Sequence, residues 1–223
     1  MTLSKNSNFP GAGGMARQAA SHWSADLDAK MTRPLRVVAV SGGLQSPSKS
    51  AGLAQHLLDL IADQVSCLPH LVDLGLIAPQ LTGSVWRTQV PATVEQALAA
   101  VEQADVLVVV SPVFRGSYTG LFKHFFDLIE QEALTDTPVL MAANGGSERH
   151  ALVIDHQLRP LFSFFQARTL PLGVYAIDKD FVDRRLSAEA VIERARLAVQ
   201  RALPVLELTQ HSISSNSERS LAV

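Results

Sequence analysis

Two adjacent glycines and three hydroxyls, Ser46, Ser48 and Ser50, crowd into SGGLQSPSKS (41–50) just ahead of a helical pattern. Free backbone N–H groups, the positive end of a helix and hydroxyl donors together make a phosphate site that needs no buried lysine. Ser41, Gln45, Ser46, Ser48 and Ser50 are its candidate ligand residues. The stretch is not a Walker loop, because no Gly-Lys-Ser/Thr follows at the required spacing. Nor is it the Gly-x-Gly-x-x-Gly dinucleotide fingerprint, since Gly42 and Gly43 are adjacent and the next glycine is Gly52. Taken alone, it reads equally well as a serine-capped helix start with no ligand.

A second loop, SPVFRGSYT (111–119), follows the apolar run VLVVV. Pro112 stops the strand, Gly116 permits a tight backbone and Thr119 can cap the next helix. A flat heterocycle with alternating donors and acceptors is best met by the backbone amides of such a loop. Phe114 and Tyr118, each taken alone, also read as packing residues. A third loop, NGGSERH (144–150), sets Gly145 and Gly146 straight after a strand, where a ring edge can approach the backbone, with Asn144 and Ser147 beside them. A phosphate loop, a ring loop and a glycine loop after successive strands jointly fit flavin mononucleotide (FMN), whose single phosphate needs one anion site.

The elements that must position these loops are legible as alternating patterns. LRVVAVS (35–41), VLVVV (106–110) and TPVLMAAN (137–144) are near-continuous apolar runs of the kind buried on both faces of a parallel sheet. HLVDL (70–74) and TLPLGVYA (169–176) complete five predicted strands. Residues 50–65, 93–105, 119–130, 150–166 and 187–208 carry helical patterns, and 75–90, with Pro79, Gly83 and Trp86, reads as a loop. The expected fold is therefore α/β, a five-stranded doubly wound parallel sheet with helices on both faces. In such a sheet ligands lie outside the carboxyl ends of the strands, where all three loops fall.

The chain has 223 residues, 47% of them hydrophobic, which suits one domain over 34–208 between an N-terminal extension (1–33) and a C-terminal tail (209–223). A formal charge of -2 gathers neither nucleic acid nor an anionic membrane surface, and no apolar run is long enough to span a bilayer. One cysteine, Cys67, excludes an internal disulfide and a cysteine metal cluster, and no histidine sits at a metal-ligand spacing. The expected location is the cytoplasm.

The residues Ser111, Pro112, Val113, Tyr118, Thr119, Gly120, Gly145, Gly146, Arg159 and Pro160 resemble the pattern of the NAD(P)H-dependent FMN reductases, a flavodoxin-like family. Within that family the chain is similar to the bacterial reductases of alkanesulfonate and methanesulfonate assimilation, the reductase halves of two-component flavin monooxygenase systems. The resemblance implies that Ser48 and Ser50, with Ser46, take the FMN phosphate, that Pro112 through Arg115 line the ring, and that Gly145 and Gly146 meet its pyrimidine edge. Gln45 stands where the family often carries Arg, which implies exchangeable FMN used as a substrate; Phe114 replaces a loop Tyr. The resemblance also implies a dimer or tetramer, with Tyr118 and a π-bulge at His156 at an interface.

The implied activity is an NADH- or NADPH-dependent FMN reductase that supplies reduced FMN to a separate flavin-dependent monooxygenase. Hydride transfer between the two cofactors calls for no catalytic acid or base, so Arg115 is an electrostatic helper at most. The rivals are a quinone or azo reductase that holds FMN, a flavodoxin-type electron carrier, and a flavin-binding module without turnover.

Overall fold

The computed structural model describes residues 33–221, with side chains described as far as Ser214. All but the last residue of the expected N-terminal extension lies outside the described residues. Pro34–Gln210 is a compact unit of its own.

Strand β1 (Leu35–Ser41) leads into helix α1 (Lys49–Ala62), β2 (Cys67–Asp73) into α2 (Leu74–Thr82), and α3 (Ala92–Glu102) into β3 (Val106–Pro112). Helix α4 (Gly120–Asp127) precedes β4 (Pro138–Gly145). A single π-helical turn, Ile154–Leu158, then runs into α5 (Arg159–Phe164), which is followed by β5 (Arg168–Thr169) and β6 (Val174–Ile177). A small antiparallel ribbon, β7 (Phe181–Val182) and β8 (Arg185–Leu186), comes before the closing helix α6 (Glu189–Leu221).

The β-branched runs become strands buried on both faces, as their composition demands: every residue of β4 and all of β3 but Pro112 are buried. The sheet order is β2-β1-β3-β4-β5, with β6 also paired to β4, and every pairing is parallel. Val40 lies beside Val109, and Val109 beside Met141. The order reverses at β1, which lies between its successors β2 and β3. The carboxyl ends of β1, β3 and β4 therefore sit side by side at one edge. Four phenylalanines from α4 and α5, Phe122, Phe125, Phe126 and Phe162, are completely buried and lock these helices together, with Phe126 and Phe162 edge to face at 5.0 Å.

The α/β class holds, and four details differ from the sequence reading. The sheet has six strands, because the expected fifth strand is cut in two at Leu170-Pro171-Leu172-Gly173. Proline has no N–H for the ladder, and Arg159 fills the breach by donating to the Leu170 carbonyl at 3.1 Å and the Pro171 carbonyl at 3.4 Å. Part of the expected 75–90 loop is helix α2 with Pro79 inside it. An interior proline costs about 3 kcal/mol, but Leu74 and Leu81 are both fully buried, and each contributes about 2 kcal/mol or more. Asp73 adds an N-cap, accepting from the Gly75 amide at 3.2 Å. The expected helix over 150–166 starts as a separate 3₁₀ turn and resumes in α5 from the π turn, which contains His156. Helix α6 continues through Pro204 and past residue 208, held on the core side by the buried Ala202 and Leu206.

On α1, His56 has a buried Nε2 that makes no hydrogen bond among the described residues. Burial lowers its pKa; Asp59 acts in the opposite sense, and Arg196 adds to the lowering. The folded chain therefore resists protonation more than the unfolded chain, and stability falls as pH drops below the ordinary histidine value near 6.5. Urea unfolding at about pH 7.5 and about pH 5.5 is expected to show a loss toward acid that is smaller in His56→Phe. An identical pH dependence in the variant would remove His56 as its source.

Candidate functional site

The three loops meet at the carboxyl edge because their polar groups are tied to one another. Thr119 caps α4, accepting from the Phe122 amide at 3.1 Å, and its hydroxyl donates to the Gly42 carbonyl at 3.0 Å. Its own amide donates to the Ser111 hydroxyl at 3.2 Å. Val113 N donates to the Asn144 carbonyl at 2.7 Å, extending the β3–β4 ladder into the second and third loops. Ser50 Oγ donates to Asn144 Oδ1 at 2.7 Å, and both residues are buried. The first loop is thus bonded to the second and third, and the second to the third.

The tip of the second loop is a two-residue turn. Phe114 and Ser117 exchange backbone hydrogen bonds of 2.9 and 3.2 Å across Arg115 and Gly116, whose φ angles are 55° and 83°. Two successive left-handed residues are the signature of a type I′ turn. Ser117 Oγ is anchored at 3.0 Å to Gln157 Oε1, a residue of the π turn. The third loop is buttressed by Tyr175, whose hydroxyl donates to the Ser147 carbonyl at 2.7 Å. Burial, and secondarily Asp178, raise the Tyr175 pKa, which keeps the phenol protonated and able to donate. Gly145 is required here: a Cβ would lie 2.6 Å from that hydroxyl and 3.4 Å from Val113 Cβ. A Cβ at Gly146 would meet nothing closer than 3.8 Å.

Between the loops lies an open cleft of about 480 Å³. Of the residues expected at a cofactor site, Gln45, Ser48, Ser50, Pro112, Phe114 and Asn144 line it. The serines are not equivalent. Ser48 is the N-cap of α1 and accepts from the Ala51 amide at 3.1 Å, so its hydroxyl proton is available to an anion. The amides of Lys49 and Ser50 are first-turn N–H groups with no intrahelical acceptor. Ser50, by contrast, has committed its one hydroxyl proton to Asn144, which corrects the expectation that its side chain donates to a phosphate.

Several expected residues lie elsewhere. Ser41 is fully buried and its Oγ has no hydrogen-bond partner among the described residues; Ser46 is exposed on the loop outside the cleft lining. Val113 and Gly145 pack behind the wall, and Arg115 and Gly146 are exposed beyond it. His156 is exposed within the π turn. Tyr118 lines a separate concavity of about 500 Å³ between α4 and α5, bordered by Phe126, Leu161 and the 64% exposed Phe164.

Two charged residues of the cleft escaped the sequence reading. Lys49 is the first residue of α1 and pairs with Asp178 at 2.7 Å. Arg184 comes from the β7–β8 ribbon. The available signal for the ribbon was FVDRRL, an Asp-containing turn between short strand-like pairs. An anion-accepting helix start, an apolar wall at Phe114 and Pro112 and the amide face of Asn144 fit a phosphate-bearing aromatic ligand such as FMN.

Comparison with known proteins leads to the same chemistry. A family model described as NADPH-dependent FMN reductase matches residues 35–182. The NADH-dependent FMN reductase SfnE of Pseudomonas putida is 56% identical over 175 residues, which is 78% of this chain and 94% of that protein. An FMN reductase (NADPH) of Pseudomonas aeruginosa is 53% identical over the same shares. Among solved structures, an oxidoreductase from Corynebacterium diphtheriae superposes with a TM-score of 0.64 at 32% identity, covering 77% of this chain and 94% of its own.

Replacing Thr119 by valine keeps the shape but leaves the Phe122 amide and the Gly42 carbonyl without their partner. The expected loss is about 2 kcal/mol of unfolding free energy, measured by urea denaturation. A loss below about 0.5 kcal/mol would mean that the loops do not depend on this bond.

Proposed function

The chain belongs to the NADPH-dependent FMN reductase family and is an NAD(P)H:FMN oxidoreductase; from that premise we propose that it delivers reduced FMN to a separate flavin-dependent monooxygenase in sulfonate sulfur assimilation. The single observation that supports the exchangeable use of FMN is that the cleft lies open rather than enclosed. Ser48 Oγ and the amides of Lys49 and Ser50 would hold the phosphate; Pro112 and Phe114 would flank the ring, with Asn144 at its polar edge. When bound, FMN supplies the two-electron chemistry, accepting a hydride from the reduced nicotinamide.

The protein's contribution is positional. The I′ turn and its Gln157 anchor keep Phe114 in place, the Tyr175 hydroxyl holds the third loop, and Thr119 fixes the spacing between the first two. Such preorganisation sets the approach of two rings without a proton-transfer residue. The same reading assigns Tyr118 and the exposed Phe164 to a contact between copies, in a dimer or tetramer, because their concavity, lined by aromatic and aliphatic side chains together with Lys123, Asp127 and Gln131, shares no residue with the cleft. It also places the enzyme in the cytoplasm; no helix among the described residues is long and apolar enough to cross a membrane.

Oxidation of NADH and NADPH, followed as absorbance while FMN is titrated from zero, tests the reading together with the visible spectrum of the purified protein. The expected result is a nearly colourless protein whose rate saturates with added FMN. A yellow protein that reduces a quinone without added flavin would overturn delivery of free reduced FMN and favour the quinone-reductase reading.

A further inference from the structure

We propose that Arg184, on the turn of the β7–β8 ribbon, supplies the positive charge for the phosphate of FMN and so makes the enzyme discriminate FMN from riboflavin. The proposal rests on the cleft being the FMN site. Within the phosphate loop Gln45 is neutral and the one cation is Lys49. Lys49, at the start of α1, is already held at 2.7 Å by Asp178, so its charge is locally compensated. Arg184 lines the same cleft as Gln45, Ser48 and Lys49, and among the described residues it makes no hydrogen bond or ion pair. Five N–H donors in a fixed fork suit a phosphate monoester.

The placement is built into the backbone. β7 and β8 are joined by Asp183 and Arg184, with φ of 47° and 65°, so both are left-handed. An arginine in that region is uncommon and costs conformational energy that Asn or Gly would largely avoid. The turn is also pressed against α1. A Cβ at Gly52 would lie 1.9 Å from the Arg184 carbonyl oxygen, so only glycine at position 52 lets the ribbon approach the helix that carries Ser48. A strained turn, a glycine that admits it and an exposed arginine with no partner among the described residues meet at the cleft where an anion is expected. Arg184 also lies just beyond residue 182, where the family match ends.

The test compares binding of FMN and riboflavin by quenching of flavin fluorescence, at low and at raised salt. Arg184→Asn removes the charge while tolerating the left-handed turn, and Arg184→Lys keeps it. The expected result for Arg184→Asn is an FMN dissociation constant raised about ten-fold or more, with riboflavin unchanged and the salt dependence of FMN binding reduced. Arg184→Lys is expected to recover part of the loss. Equal weakening of both flavins, or no effect on FMN, would overturn the proposal. Ser48→Asp separates the two layers: Asp preserves the helix cap but repels a phosphate. If Ser48→Asp weakens FMN and Arg184→Asn does not, the Arg184 assignment alone falls. If Ser48→Asp leaves FMN binding intact, the cleft is not the phosphate site and both readings fall.

Discussion

The hydroxyl of Thr119 is the point on which the cleft depends. Buried at the carboxyl edge of the sheet, it accepts from the Phe122 amide and donates to the Gly42 carbonyl, so one group caps α4 and ties the β1 loop to the β3 loop. A buried polar group without a partner is costly, and the strand-order reversal at β1 brings several such groups to one edge. The bonds from Val113 to the Asn144 carbonyl and from Ser50 to the Asn144 amide oxygen are the other solutions to the same problem. Satisfying the edge and shaping the site are one event.

That economy assigns different work to side chains of one type. A serine hydroxyl has a single proton. Ser50 gives its proton to Asn144 and becomes part of the wall, whereas Ser48 spends only lone-pair capacity on the Ala51 amide and keeps its proton for a ligand. Ser41, the last residue of β1, is withdrawn into the interior. The cations divide in the same way: Lys49 is paired with Asp178, while Arg184 makes no hydrogen bond or ion pair among the described residues.

The segment after β4 shows how far positioning reaches behind the site. Its π turn places Gln157 against Ser117, which steadies the I′ turn of the second loop. One turn later Arg159 bonds to Asp155 and to the carbonyls exposed where the fifth strand breaks. The Arg-Pro pair, part of the family-like pattern, thus has a structural task at the broken sheet, away from the cleft.

The sequence by itself determined the α/β class, the apolar strands at β1, β3 and β4, the three loops beyond them and the Thr119 cap, because two-faced burial demands apolar runs and helix starts demand capping side chains. It misled where a local signal was outweighed: Pro79 reads as a loop until the burial of Leu74 and Leu81 is counted, and Pro171 divides a strand whose composition looks continuous. Only the tertiary structure decided which serine keeps its proton for the cleft, which cation is paired and that a ribbon from 181–186 reaches α1. Those outcomes turn on pairings between residues far apart in the chain, such as Ser50 with Asn144 and Gly52 with Arg184. Periodicity and spacing carry no trace of such pairings, since each residue type is compatible with several partners until packing selects one.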